Sequence, residues 1–193
     1  MKRIEKLICL SLGLSVLVSS GCGGGGRGDG KLPPQQMTDA LFAAISANRE
    51  AYTRAVVDRL QYQERIMDAK EHFREEKALP LPAQMLRMSA EAINQSKDAL
   101  FSYALLSPWP INKQNGPRTE SEKVGLRVVA ETGKSHYTEE TIGGRTYFSA
   151  YYPDKGVVEA CVKCHNDHPD SPRKDFRVGD ILGGIVIRVR VDE

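Results

Sequence analysis

Cysteine is scarce in this chain. Only four of its 193 residues are cysteines, and two of them, Cys9 and Cys22, lie within the first 22 residues. The remaining chain therefore has a single pair, Cys161 and Cys164, with no spare thiol to serve as a further ligand. The sequence raises the question of what this pair does.

The chain also lacks an excess of charge of either sign. Lys and Arg number 27 and Asp and Glu number 25, a formal net charge of +2. We predict that residues 1–21 are removed, which would bring the net charge to zero, so no basic field remains to attract nucleic acid or an anionic membrane. A nucleophile–base pair, a phosphate-binding loop and a further metal motif are missing as well, so we do not expect an enzyme.

Long apolar runs are missing too, apart from one near the N-terminus. The run Leu7–Val18 ("LICLSLGLSVLV") is too short to span a bilayer well, and it stands between basic residues and the small residues "SSGC". This order is typical of an export signal, and the residues before Cys22 resemble a bacterial lipobox, in which the cysteine left by cleavage carries lipid. An ordinary cleaved signal or a short anchor is the alternative. The glycine-rich stretch 23–30 then predicts a flexible tether.

These features divide the chain into three parts. We predict a lipoprotein signal peptide over 1–21, the lipid-bearing Cys22 with its tether over 22–34, and one folded domain over 35–193. The last part is long enough for one domain with a hydrophobic core and too short for two. The predicted location is the periplasm or cell envelope, with a membrane contacted through the lipid anchor.

The first half of the folded part predicts helices. Apolar residues recur at intervals of three, four or seven from Met37 to about Lys77, which indicates one long helix. Prolines at 80 and 82 end it. A second helix is expected over 83–95, with Met85 and Met88 on one face.

The second half predicts mainly strands, because the hydrophobic period changes from that of a helix to alternation. The expected elements are a strand over 99–107, a helix begun by the capping box of Thr119 and Glu122, a hairpin over 136–152 that turns at Gly143-Gly144, and a strand over 181–191 in which Gly183-Gly184 marks a bulge or a close approach. Helices packed on a mostly antiparallel sheet make this an α+β domain.

The motif "CVKCH" at 161–165 allows four interpretations. In the first, both thiols bond to the vinyl groups of a haem and His165 ligates its iron, because thiols about one turn apart reach two neighbouring vinyls. In the others, Cys161, Cys164, His165 and His168 bind zinc, or the thiols form a redox disulfide or a structural disulfide. Structural zinc sites usually draw ligands from two separated segments, and a redox disulfide leaves His165 without a role. Export favours covalent haem, which is attached outside the cytoplasm.

Several stretches resemble one protein family. They are "LPLPAQM", "SPWPINKQNGPRTESEKVGL", "YYPDKGVVEACVKCHNDHPDSPRKDF" and "VGDILGGIVIRV". Through them the segment from Leu79 to the C-terminus is similar to the single-haem, PAS-like c-type domain family, long catalogued as a domain of unknown function. The resemblance implies a PAS-like antiparallel sheet with flanking helices and one covalent haem c, found in free-standing exported proteins and in sensor modules of larger receptors. Some relatives use a distal cysteine ligand, which the folded part of this chain does not offer.

The second axial ligand of such a haem is predicted by elimination. His72 and His136 lie among polar residues, and His168 is too near the motif histidine in sequence to reach the opposite face of the ring easily. Met85 or Met88 is therefore the predicted distal ligand, although methionines on the apolar face of a helix are more often core residues. Among further candidates, Arg118 or Arg145 would suit the haem propionates, and Trp109 would line the haem pocket or pack in the core.

Two functions fit a haem protein of this build. One is sensing of redox state or of a small gas, which would need a separate signalling partner because the sequence carries no transmitter domain. The other is electron transfer with a redox partner at the cell envelope. The sequence leaves both open.

Overall fold

The structure is a computed structural model, and it describes residues 32–192. The predicted signal peptide, Cys22 and most of its tether lie outside the described residues. Within the described range, no helix combines the length and the apolar character needed to cross a membrane.

A four-stranded antiparallel sheet forms the centre of the domain. Its strands are β3 (Phe101–Leu106), β4 (His136–Ile142), β5 (Arg145–Lys155) and β6 (Ile181–Arg190), in the spatial order β3-β6-β5-β4. A two-residue parallel pair, β1 (Ala69–Lys70) and β2 (Leu79–Pro80), lies apart from this sheet. Strand β6 therefore pairs on both of its edges, and it holds the centre of the sheet.

Helices cover both faces of the sheet. The helices are α1 (Pro34–Tyr52), which continues as a π-helical segment (Thr53–Gln63), α2 (Pro82–Asn94), α3 (Glu120–Thr132) and α4 (Glu159–Asp167). Ile185 and Ile187 of β6 pack with α2 and with the apolar side of α1, whereas Val186 packs with α3. Because successive side chains of a strand point to opposite faces, this alternation buries β6 on both sides. The predicted α+β class, with flanking helices and a long N-terminal helix, is confirmed.

The local signals in the second half of the chain are confirmed. Thr119 caps α3, because its hydroxyl oxygen accepts a hydrogen bond from the backbone N–H of Glu122. The carboxylate of Glu122 accepts one from the backbone N–H of Thr119, which completes the capping box. Strands β4 and β5 pair as a hairpin, and Gly143 and Gly144 turn it with φ of 58° and 78°. At Gly184 a Cβ atom would lie 2.8 Å from the Leu126 side chain, so the expected close approach occurs at this glycine.

The long first helix ends earlier than predicted. Helical structure stops at Gln63, and residues 64–78 form turns and the short strand β1 instead of continuing to Lys77. Two residues at the ends of this stretch, Arg65 and Lys77, have positive φ. Ile66 and Met67 are exposed, so the apolar stripe of the helix has no partner surface beyond Gln63, and packing no longer stabilises helical backbone there.

Candidate functional site

A cavity of about 430 Å³ opens at one end of the sheet. Its size lies within the range of roughly 300 to 1,000 Å³ that is usual for small-molecule and cofactor sites. Its wall is built by the π-helical segment, the start of α2, the chain after β3, the ends of β5 and β6, and α4. All three motif residues, Cys161, Cys164 and His165, line it.

Helix α4 reaches the cavity because the chain before it is held close to the sheet. The N–H of Gly156 donates to the carbonyl of Asp180, and the N–H of Gly179 donates to the carbonyl of Gly156. A Cβ atom at Gly156 would lie 2.9 Å from Val162, so only glycine lets α4 pack this closely. Val162 then joins Phe176 and Leu182 in a small buried cluster, and Cys161 and Trp109 pack against it.

The two motif cysteines are free thiols on the same side of α4. Residues three apart on a helix are neighbours on its surface, so both thiols reach the cavity. Cys164 keeps an exposed surface, but the protein atoms packed around its thiol partly desolvate it and raise its pKa, and the negative charge of Glu71 adds to this effect. A thiol with a raised pKa is protonated at neutral pH, unlike the low-pKa cysteine of a redox disulfide motif.

His165 lines the cavity with its ring partly covered. Its Nδ1 is buried and has no hydrogen-bond partner. Burial lowers the pKa of His165, and the nearby positive charge of Arg49 lowers it further. The imidazole is therefore neutral at pH 7, which is the form that binds a metal ion.

A buried ion pair forms part of the cavity wall. Arg49 of α1 makes two contacts of 3.1 Å with the carboxylate oxygens of Asp154, which stands beside the β-bulge near the end of β5. Both residues are buried, and Nε of Arg49 has no partner. Burial raises the pKa of Asp154, and the charge of Arg49 offsets part of that rise. The pair ties the long helix to the sheet at the edge of the cavity.

Trp109 is held at the cavity by the chain reversal after β3. The hydroxyl of Ser107 donates to the carbonyl of Leu182 and accepts from the N–H of Trp109. The Trp109 ring meets Phe176 edge-on, and the guanidinium of Arg173 lies 4.7 Å and 4.4 Å from the two ring centroids. Trp109 thus lines the cavity and also packs against the buried cluster, so its position agrees with both roles considered from the sequence.

His168 does not assemble a zinc site with the motif. Its Nδ1 accepts a hydrogen bond from the N–H of Asp170, and its Nε2 lies 3.4 Å from Glu71. Its side chain is only 19% exposed. Within residues 32–192, no three His, Cys, Asp or Glu side chains converge to hold a metal ion.

The structure does not bring Met85 or Met88 to the cavity wall. Helix α2 turns Ala83, Gln84 and Arg87 towards the cavity. It uses Leu86 and Ala90 to pack on the sheet. The two methionines share a third side of the helix, where both are half-buried. The prediction that one of them is the distal ligand has no support in this arrangement.

The arginines at the cavity are not those that the sequence suggested. Arg118 and Arg145 are exposed and do not line the cavity, whereas Arg49 and Arg87 do. Nε of Arg87 is paired with Glu91, and this pair is half-exposed. Arg49 could have been suspected from its place in the apolar stripe, since it lies four residues after Ile45 and four before Thr53.

Comparisons with known proteins agree with this picture. Residues 34–190 match the model of the family described as Tll0287-like. A solved structure described as the cyanobacterial heme-protein Tll0287 superimposes with a TM-score of 0.53 at 11% sequence identity, over 82% of this chain and 97% of that chain. At this identity the likeness shows the fold. No curated protein matches.

The buried ion pair generates a prediction on stability. We expect Asp154→Asn to lower the free energy of unfolding by about 3 kcal/mol, because it leaves Arg49 as a buried cation without a counter-charge. Urea unfolding followed by circular dichroism measures this. Glu91→Gln is the matched control, since it breaks the half-exposed pair with Arg87 and should cost no more than about 0.5 kcal/mol. Equal losses in the two variants would contradict the prediction.

Proposed function

The chain belongs to the Tll0287-like family, and from this premise we propose that it binds one haem covalently through α4. Cys161 and Cys164 would form the two thioether bonds, and His165 would be the proximal iron ligand. The single observation that carries the proposal is that these three side chains line one cavity of cofactor size.

The residues present fit such a group. Both thiols are free, the imidazole is neutral, and apolar side chains such as Val57 and Leu105 share the wall with Trp109. Arg87 also borders the cavity, and its guanidinium, paired through Nε with Glu91, suits a carboxylate such as a haem propionate, whereas both terminal nitrogens of Arg49 are taken by Asp154. When bound, the haem supplies reversible oxidation and a position for small ligands, while the chain attaches and orients it.

Sensing of redox state or of a small gas, through a separate partner protein, is the function that we favour. The supporting observation concerns the second axial position. Among the described residues that line the cavity, histidine and cysteine are confined to α4 and its C-cap, methionine is absent, and one tyrosine, Tyr62, lies on the π-helical segment. Desolvation raises the pKa of Tyr62, so its phenol is protonated at pH 7 and is a weaker iron ligand than a neutral imidazole. His168 is engaged by Asp170 and Glu71. A haem here would keep a position open to an external ligand.

Electron transfer is the second candidate, and exposure of the motif favours it. Cys164 is exposed, and Lys163 beside it is exposed as well. An attachment point near the surface shortens the path to a redox partner. The partner would be another protein of the cell envelope.

The location remains part of the proposal. We place the protein in the periplasm or cell envelope, held to a membrane by acyl chains on Cys22. Two or three acyl chains hold a protein far more firmly than one does. A location outside the cytoplasm would also suit covalent attachment of haem.

Covalent attachment can be tested directly. Co-expressed with a c-type maturation system, the protein should keep its haem on a denaturing gel and give a peroxidase stain, because thioether bonds survive denaturation. Cys161→Ala with Cys164→Ala should abolish the stain. A colourless wild type that contains zinc would refute the haem proposal.

The open axial position predicts ligand binding. Addition of carbon monoxide to the reduced protein should shift the Soret band, with complete formation of the adduct. Met85→Ala and Met88→Ala should leave the spectrum of the oxidised protein unchanged, since neither residue lines the cavity. A reduced protein that refuses carbon monoxide would favour electron transfer over gas sensing.

Acylation of Cys22 is decided by mass spectrometry of the N-terminal peptide. We expect a mature chain that begins at Cys22 and carries the added mass of acyl chains. A Cys22→Ser variant should fail to gain that mass and should leave the membrane fraction. Cleavage elsewhere, or an unmodified Cys22, would refute lipidation without touching the haem proposal.

A further inference from the structure

We propose that Asn166 is a positioning residue for His165. It fixes Phe176 against the imidazole and thereby sets the direction in which His165 meets a metal ion. The inference rests on the proposed function, since it concerns the same histidine.

The Asn166 side chain binds both backbone polar groups of Phe176. Its Nδ2 donates to the carbonyl of Phe176 at 2.9 Å, and its Oδ1 accepts from the N–H of Phe176 at 3.0 Å. A side-chain amide that makes both bonds pairs with the backbone as a neighbouring β-strand does. It therefore fixes both the distance and the orientation of Phe176 relative to α4. Asn166 directly follows His165 in α4, so it joins the ligand-bearing helix to a segment ten residues further along the chain.

Phe176 packs against the imidazole of His165. The two rings meet edge to face, with centroids 5.8 Å apart and an interplanar angle of 89°. Phe176 is buried, and it also packs against Val162 and Leu182. Edge-to-face contacts of aromatic rings are directional, so a fixed Phe176 restricts rotation of the His165 ring.

The usual means of orienting a ligating histidine is missing here. In metal sites the second ring nitrogen normally donates to a carbonyl, a carboxylate or water, which fixes the ring. Nδ1 of His165 is buried without such a partner. Packing, including the contact with Phe176, therefore holds the ring, and Asn166 holds Phe176.

The loop between α4 and β6 keeps Phe176 in place from its other side. Ser171 is buried, and its hydroxyl donates to the carbonyl of Arg173 at 2.7 Å. The Arg173 guanidinium then stacks over the Phe176 ring, 4.4 Å from its centroid. Asp180 closes the loop by accepting from the N–H of Arg177. Asn166 thus acts on a segment that is already ordered.

The test uses the haem-loaded protein and measures how firmly His165 holds the iron. We expect Asn166→Ala to weaken the bond about tenfold, within the 10- to 100-fold that loss of an outer partner costs a metal site. Acid would then displace His165 about one pH unit higher than in the wild type, since one proton competes for the ligand. The iron–histidine stretching band in resonance Raman spectra, recorded after photolysis of the carbon monoxide adduct, should shift and broaden.

Graded variants separate positioning from general stability. Asn166→Asp keeps the acceptor but places an oxygen against the carbonyl of Phe176, so its effect should be similar to that of Asn166→Ala. Phe176→Leu keeps the backbone contact and removes the ring, and it should change the same two signals even if Asn166→Ala fails to fold. Thr119→Ala is the control, because loss of the α3 cap costs about 1 kcal/mol far from His165. The proposal is overturned if Phe176→Leu and a folded Asn166→Ala behave like Thr119→Ala.

The haem-free chain provides a test that does not depend on the proposed function. In proton NMR spectra the Phe176 ring should shift the imidazole resonances of His165 away from those of the exposed His72. Asn166→Ala should move them towards the His72 values. Unchanged resonances would overturn the inference, whereas a wild type without haem would overturn only the proposed function.

Discussion

The buried ion pair of Arg49 and Asp154 connects the parts of this structure on which the site depends. Its two 3.1 Å contacts hold α1 against β5 beside the bulge of that strand. The π-helical segment continues from α1, and Thr53, Val57 and Gln61 line the cavity at intervals of four residues. π-Helical turns are rare and occur frequently at functional sites. Because one partner comes from the helix and the other from the sheet, the pair fixes the width of the cavity between them. A buried charge pair is weak evidence for stability, and this pair also forms part of the wall of the cofactor-sized cavity.

The site is assembled at the end of the sheet because β6 is buried on both faces along its length. Ile185 and Ile187 serve one face and Val186 the other, so helices occupy both sides and leave the strand ends as the available surface. Gly156 then lets α4 lie close to this end, and Ser107 turns the chain after β3 towards the same place. The start of β6, helix α4 and the chain after β3 thus meet at this end of the sheet, and a different local contact brings each of them there. The cavity is what remains between them.

Much of this could be predicted from local sequence signals. Three such signals each depend on a few neighbouring residues, and all three are confirmed: the capping box at Thr119, the Gly143-Gly144 turn and the alternation of β6. The end of the first helix could not be predicted, because residues 64–77 are compatible with a helix in isolation and depart from it only for lack of a packing surface. Arg49 was missed although it lies in the apolar stripe of the first helix, because a charged residue is normally taken to be exposed to solvent. Its partner Asp154, 105 residues away, shows why it is buried. Met85 and Met88 were predicted as distal ligands from their apolar helix face, but α2 turns one side to the cavity and another to the sheet, and the methionines lie on neither.

The choice between sensing and electron transfer depends on how strongly the chain restrains the iron. Electron transfer favours an iron with two strong protein ligands, since a fixed coordination shell changes little between oxidation states. In the described part of this chain the histidines at the cavity lie on α4 and its C-cap, and Tyr62 lies on the π-helical segment. The ring of His165 packs against Phe176, and its Nδ1 has no hydrogen-bond partner. Under the proposed haem attachment, a ring held by packing would be restrained less strictly than one held by a hydrogen bond, so His165 would keep a small freedom of movement within the limits that Phe176 sets. Such a movement would reach Phe176 first and then, through Asn166 and the loop to Asp180, the start of β6. This connection from His165 to the sheet supports the proposal of sensing over the proposal of electron transfer, because a sensor needs such a connection and an electron carrier does not.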